Sequence, residues 1–92
     1  MKIEITEEFK QLNLNKYPSS VYKVILYILL NKPEKDNRIK IKVREDYIKL
    51  SLTIPTLISS LKKLREIGFI EKIGQSEFLI NHKYIINEHF RN

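Results

Sequence analysis

The chain has no cysteine and no tryptophan, and its 92 residues include only two glycines and three prolines. Without cysteine there are no disulfides, no thiolate nucleophiles and no cysteine-based zinc sites. The longest apolar stretch, residues 21–30, is interrupted by Lys23 and is about half of the ~20 residues that a membrane span needs. The first residues carry acids where a signal peptide needs basic charge before an apolar run. We therefore expect a cytoplasmic protein with no membrane segment.

The length and composition of the chain indicate one small folded domain. Hydrophobic residues make up 42% of the chain and charged residues 30%, a balance typical of a globular protein. The 17 lysines and arginines outnumber the 11 acids, for a formal net charge of +6. Such a charge permits contact with a polyanion without establishing it, because many basic proteins stay soluble in this way.

The first half of the chain predicts an arm, a helix and a strand. Residues 1–17 form the arm, with a short extended start and then a turn or two of helix that Thr6 can cap. Residues 19–31 carry apolar side chains at helical spacing on nearly all sides, so we expect this helix to be covered by the core and by either the arm or a second subunit. Residues 38–43 alternate basic and apolar side chains, which predicts a half-buried strand. Its outward cations either discourage edge aggregation or face phosphates.

The second half predicts two further helices and a hairpin. Helices are expected over residues 44–51 and 53–67, the second capped by Thr53 and ended by Gly68. Residues 69–80 are predicted to form two strands around a tight turn, and residues 82–92 a packed C-terminal segment for which a final helical turn is one form. The predicted fold class is α+β, mainly α.

This order of helix, strand, helix, helix and hairpin resembles the winged helix-turn-helix superfamily. Members often show a Leu-x-x-Leu-x-x-x-Gly-aromatic-Ile pattern, and the matching positions here are Leu61, Leu64, Gly68, Phe69 and Ile70. The resemblance implies a three-helix core with a short strand and a C-terminal hairpin, the wing. It also implies that the helix over 53–67 is a recognition helix for the major groove of double-stranded DNA.

A second resemblance concerns the end of the chain. Residues 78–81, Phe-Leu-Ile-Asn, and residues 83–85, Lys-Tyr-Ile, are similar to small plasmid replication proteins of low-GC Gram-positive bacteria. That family usually has proline after the asparagine, where this chain has His82. The two resemblances imply either a transcriptional regulator or a replication-initiation factor of a plasmid, phage or other mobile element.

The candidate DNA contacts are the polar and basic residues of the recognition helix, of the preceding strand and of the wing. No acid occurs between Tyr47 and Arg65, which favours an anionic partner for this stretch. Because the helix has no Arg, Asn or Gln before Arg65, bidentate base partners are lacking, and we expect specificity from DNA shape, Thr or Ser contacts and dimer spacing. The same face could instead touch only water. The predicted contacts are Thr53, Pro55, Thr56, Ser59, Ser60, Lys62, Lys63, Arg44, Lys72, Gln75 and Ser76.

Enzymatic function is not expected. His82 and His89 lack the further ligands that a metal site requires, and the chain has neither a Gly-rich phosphate loop nor a Ser-His-Asp pattern. We expect no cofactor and no small-molecule substrate. The expected partners are double-stranded DNA and a second copy of the chain, bound through the first helix and the terminal segments. The alternative is a protein–protein interaction module whose cations only aid solubility; RNA is less favoured because the recognition helix lacks stacking aromatics.

Overall fold

Helices and short strands alternate along the part of the chain that the computed structural model describes, residues 3–12, 16–31 and 36–87. The fold is α+β, as predicted, with more residues in helices than in strands. The predicted loop around Pro33 and residues 88–92, which include His89, lie outside the described residues. The elements are β1 (Ile3–Ile5), α1 (Glu7–Lys10), α2 (Ser19–Leu30), β2 (Arg38–Lys40), α3 (Val43–Lys49), α4 (Ile54–Glu66), β3 (Ile70–Lys72), β4 (Glu77–Ile80) and β5 (Ile85–Asn87).

The strands form two antiparallel sheets. In the larger sheet the order is β2–β4–β3, so β4 is central and its two neighbours are edges. The hairpin β3–β4 pairs Ile70 with Ile80, which confirms the predicted hairpin, and Arg38 of β2 lies opposite Leu79 on the other side of β4. The smaller sheet pairs β1 with β5. The two sheets therefore tie chain segments that are far apart in sequence.

The core lies between α2, α4 and the inner face of the larger sheet. Helical spacing explains which side chains are buried, because positions three and four apart share one face of a helix. Helix α2 contributes four apolar side chains to this core, and α4 places its buried leucines against them. The buried apolar side chains of these elements are Val21, Val24, Ile25, Ile28, Ile39, Leu57, Leu61, Leu64, Ile70, Phe78 and Ile80.

The ends of α4 are set by its own sequence. The Thr53 hydroxyl accepts a hydrogen bond from the Thr56 backbone N–H at 3.2 Å, the usual N-cap contact. At the other end Gly68 has φ 81°, and the Phe69 N–H donates to the Leu64 carbonyl at 2.9 Å. This Schellman arrangement turns the chain sharply. The hairpin therefore begins directly beside the C-terminal end of α4.

The strand predicted over residues 38–43 is too long. Strand β2 ends at Lys40, and Val43 already lies in α3. The physical reason is a local contact at the start of α3, where the Asp46 carboxylate accepts from the Lys42 backbone N–H at 2.8 Å and so favours the beginning of a helix there. The inward side of the alternation is confirmed, since Ile39 and Ile41 are both buried.

Within the packed C-terminal segment predicted over residues 82–92, residues 85–87 form strand β5, and the end of that segment lies outside the described residues. Asn81 builds a tight turn before this strand, accepting from the Lys83 N–H at 2.9 Å through its side chain and from the Tyr84 N–H at 3.0 Å through its carbonyl. The buried Asn37 side chain then donates to the Ile85 carbonyl at 2.9 Å. With its backbone held in this way, the segment extends along β1 instead of coiling.

Candidate functional site

The outward face of α4 carries the short polar and basic side chains of the predicted contact set. Pro55, Ser59 and Lys62 are exposed, and Thr56 is half-buried at the first turn. The Thr53 hydroxyl also donates to the Thr56 hydroxyl at 2.8 Å, so these two side chains are paired with each other. The side chains of this face are short and carry hydrogen-bond donors, as a surface that fits into a groove of nucleic acid requires.

Ser60 is not part of that face, and its prediction as a surface contact is wrong. Its side chain is only 2% exposed, and its hydroxyl is hydrogen-bonded to the Thr56 carbonyl at 2.9 Å and to the Ser20 hydroxyl of α2 at 3.0 Å. The reason is helical spacing, because Ser60 follows Leu57 by three positions and precedes Leu64 by four. Ser60 is thus a small hydrogen-bonded residue at the packing surface between α2 and α4.

Lys63 is half-buried and lies at the edge of the outward face of α4. Its ammonium lies 3.2 Å from the Glu66 carboxylate and 5.9 Å from the centre of the Tyr17 ring. Because the pair with Glu66 is solvated, it contributes little to stability, but it does offset the positive charge of Lys63. Among the predicted helix contacts, Lys63 is therefore the weaker anion ligand.

The stronger cationic feature is a cleft of about 490 Å³ between α4 and the β3–β4 hairpin. Lys62 and Arg65 line it from the helix, and Lys72 lines it from the hairpin. These three cations form no ion pair with any carboxylate of the described residues. Cations clustered at a concave, partly apolar surface raise the local concentration of anions. The cleft is lined by Val43, Ile58, Leu61, Lys62, Arg65, Glu66, Lys72, Gln75 and Phe78.

The sequence prediction contains part of this cleft and omits the rest. Lys62, Lys72 and Gln75 are in the predicted set, whereas Arg65 and Ile58 are not. A helical-wheel count could have found both omissions, because Ile58, Lys62 and Arg65 are separated by four and three positions and share one side of α4. Their proximity to Lys72 depends on how the hairpin folds back.

The row of cations before α3 is less uniform than the alternation suggests. The Arg38 guanidinium is 3.0 Å from the Asp36 carboxylate, and the Lys42 ammonium is 4.0 Å from Glu45. Lys40 and Arg44 are exposed and form no ion pair within the described ranges. Arg44 lies in the first turn of α3 and not on the strand. Two of the four cations therefore have a local acidic partner.

The tip of the hairpin is a plain tight turn with one exposed polar side chain. Gln75 is exposed, whereas Ser76 is half-buried. The Ser76 carbonyl accepts from the Ile41 N–H at 2.8 Å, which extends the contact between the hairpin and the segment after β2. Of the two predicted contacts at the tip, Gln75 is the more accessible.

Neither a metal centre nor a membrane span is present in the part of the chain that the structure describes. No group of three His, Cys, Asp or Glu side chains lies close enough there to hold a metal ion. Within the same residues, no helix is both long and apolar enough to cross a bilayer. No family model matches the chain, and no curated protein or solved structure matches it either.

Proposed function

We propose that this chain is a winged helix-turn-helix protein that binds double-stranded DNA, with α4 as the recognition helix and the β3–β4 hairpin as the wing. The order α2, β2, α3, α4, β3, β4 and the sheet order β2–β4–β3 support this fold. In such proteins the recognition helix enters the major groove. The corresponding role is that of a cytoplasmic transcriptional regulator or a replication-initiation factor of a plasmid, phage or other mobile element.

The observation that carries the proposal is the unpaired charge at the cleft beside α4. Lys62, Arg65 and Lys72 come from two elements and lie at one concave surface, where each lacks an acidic partner in the described chain. Phosphates of a DNA backbone that crosses from the helix to the hairpin would supply the missing negative charge. Solubilising cations do not need to gather in this way.

The decisive experiment is fluorescence anisotropy with a labelled duplex of ~25 base pairs, measured over a series of salt concentrations. The double variant Lys62→Gln/Lys72→Gln removes two cleft charges. Lys10→Gln/Lys23→Gln removes two exposed lysines of α1 and α2 and serves as a control with the same net charge.

If the cleft binds phosphates, the logarithm of the binding constant falls steeply with the logarithm of salt concentration. The cleft variant then shows a slope that is smaller by about two, since each phosphate contact contributes ~0.9. The control variant keeps nearly the slope of the unmodified protein. Absence of binding at low salt, or equal slopes for the two variants, would contradict the proposal.

The alternative function is a protein–protein interaction module, and one observation favours it. Leu26 and Leu30 of α2 are 57% and 69% exposed, and Ile48 of α3 is 67% exposed. Exposed apolar side chains of this size are common at protein contacts. We assign Leu26 and Leu30 to a homodimer contact that accompanies DNA binding; a failure of the salt experiment would make a protein partner the leading function.

A further inference from the structure

Ile58 is a large apolar side chain in the middle of the proposed DNA-binding face. It is 54% exposed, and of the large apolar side chains exposed in the described residues it alone belongs to α4. The other large apolar residues in the middle of the helix, Leu57, Leu61 and Leu64, are buried. The exposure of Ile58 is therefore not explained by packing within the chain.

The surroundings of Ile58 limit what can cover it. Its neighbours at the cleft include Lys62, Arg65 and Lys72. An apolar protein surface placed on Ile58 would bury these cations without partners, which is costly. The occupant must instead present negative charge beside an apolar group, and the major groove of DNA does so with its phosphates and its thymine methyl groups.

The position of Ile58 in the helix favours a base contact over a backbone contact. It is the fifth residue of the 13-residue helix α4, and in helix-turn-helix proteins the N-terminal half of the recognition helix contacts base edges. A branched alkyl side chain cannot donate or accept a hydrogen bond. The one major-groove feature that it can contact favourably is the C5 methyl group of thymine.

We infer that Ile58 is a specificity-determining residue that contacts thymine methyl groups in the major groove. This inference rests on the proposed DNA-binding function. It explains how the face can select a sequence although α4 has no Arg, Asn or Gln before Arg65. The preferred sites then have thymines under the middle of α4.

The test compares an alternating A·T duplex of ~24 base pairs with the same duplex in which uracil replaces thymine. Uracil differs from thymine only by the missing methyl group, and the alternating sequence presents that group in every register. Anisotropy is measured at fixed low salt for the unmodified protein, for Ile58→Ala and for Ile48→Ala. The last variant truncates an exposed isoleucine on α3 and is the matched control.

The unmodified protein and Ile48→Ala are expected to bind the thymine duplex about four-fold more tightly than the uracil duplex for each methyl group contacted, the factor that corresponds to burying one such group. Ile58→Ala is expected to bind both duplexes almost equally. An alternating G·C duplex with 5-methylcytosine, compared with its unmethylated form, restores the methyl group on another base. The unmodified protein should prefer the methylated form, and Ile58→Ala should not.

The outcomes distinguish a failure of this inference from a failure of the proposed DNA-binding function. If no duplex binds at low salt, the proposed DNA-binding function fails. If both A·T duplexes bind with the same affinity, DNA binding stands and the role of Ile58 is overturned. If Ile58→Ala still distinguishes thymine from uracil, the protein senses the methyl group through DNA shape or through another residue, which also overturns the inference.

Discussion

Helices α2 and α4 have nearly the same length and pack against each other, yet their outer faces differ in kind. On α2 the outward side includes Leu26 and Leu30, which are 57% and 69% exposed. On α4 the outward side is polar and basic around a lone Ile58. A wide apolar face is stabilised by a second apolar surface, whereas a cationic face is stabilised by anions. The two helices therefore pack against each other in the core, whereas their outer faces differ in chemistry and suit different kinds of contact.

The comparison also indicates which residues of α2 are available to the proposed dimer. Val24 is fully buried, so its side chain belongs to the core and not to an outer surface. The terminal segments pair with each other within the chain, where the Thr6 N–H donates to the Tyr84 carbonyl at 3.0 Å. Leu26 and Leu30 are the exposed large apolar side chains of α2, and the proposed dimer contact therefore rests on them.

The largest expected effect concerns the inner face of α4. Leu61→Ala should lower the free energy of unfolding by about 2–5 kcal/mol, because it leaves a cavity at a buried position. Ile58→Ala, in the same helix and on the outer face, should lower it by less than about 1 kcal/mol. Urea denaturation of both variants checks the difference. Equal losses for the two variants would contradict the burial of Leu61 and the exposure of Ile58.

The next effect concerns the end of α4 that positions the hairpin. Gly68→Ala should destabilise the protein by about 1–2 kcal/mol, because φ 81° is unfavourable for a residue with a Cβ atom. The loss is conformational, since an added Cβ would contact nothing within 4 Å. Gly74→Ala is the control: its Cβ would meet Glu77 at an ordinary 3.5 Å. In thermal unfolding, the midpoint temperature of Gly68→Ala should be well below that of Gly74→Ala.

A smaller effect is expected where α2 meets α3. Burial, together with a hydrogen bond to the Asp46 carboxylate and its negative charge, raises the pKa of Tyr27 to about 12. Since the pKa of an unfolded tyrosine is about 10, the protonated hydroxyl stabilises the folded state fully below about pH 10, and this stabilisation is lost as the pH rises toward 12. Tyr27→Phe should cost about 1 kcal/mol at pH 7.

Denaturation of the unmodified protein and Tyr27→Phe at several pH values checks this assignment. The gap between their stabilities should narrow between about pH 10 and 12. A stability difference that stays constant to the highest pH would show that burial and Asp46 do not raise the pKa of Tyr27. Unlike Leu61, Tyr27 is half-buried, so its substitution should leave the core packed.

The smallest expected change in folding stability belongs to the outer face of α2. Leu26→Ser/Leu30→Ser should alter the stability of one chain by less than about 0.5 kcal/mol for each substitution, as is usual for exposed positions. It should nevertheless convert a dimer to a single chain in light scattering. Ile48→Ser, an exposed apolar position on α3, is the control and should keep the dimer mass. A single-chain mass for the unmodified protein would refute the dimer contact.

Local sequence signals determined where most elements lie. The helix predicted over residues 19–31 corresponds to α2, Ser19–Leu30, and the helix over 53–67 corresponds to α4, Ile54–Glu66. These predictions succeed because apolar periodicity, the Thr53 cap and Gly68 act within a few residues of the positions that they control. For the same reason helical spacing puts Leu57, Leu61 and Leu64 on the buried face of α4 and most of its basic and hydroxyl side chains on the outer face.

Tertiary structure alone decided what those elements meet. The pairing of Ile5 with Ile85 joins segments that no local window contains, and it makes residues 85–87 a strand. Helical spacing turns Ser60 inward, but only the packing of α2 against α4 brings the Ser20 hydroxyl within hydrogen-bond distance of it. Lys72 joined Lys62 and Arg65 in one cleft because the hairpin folds back along α4. Periodicity within one element states which side faces inward, but contacts between elements depend on how separate segments pack, and that decided the composition of the candidate site.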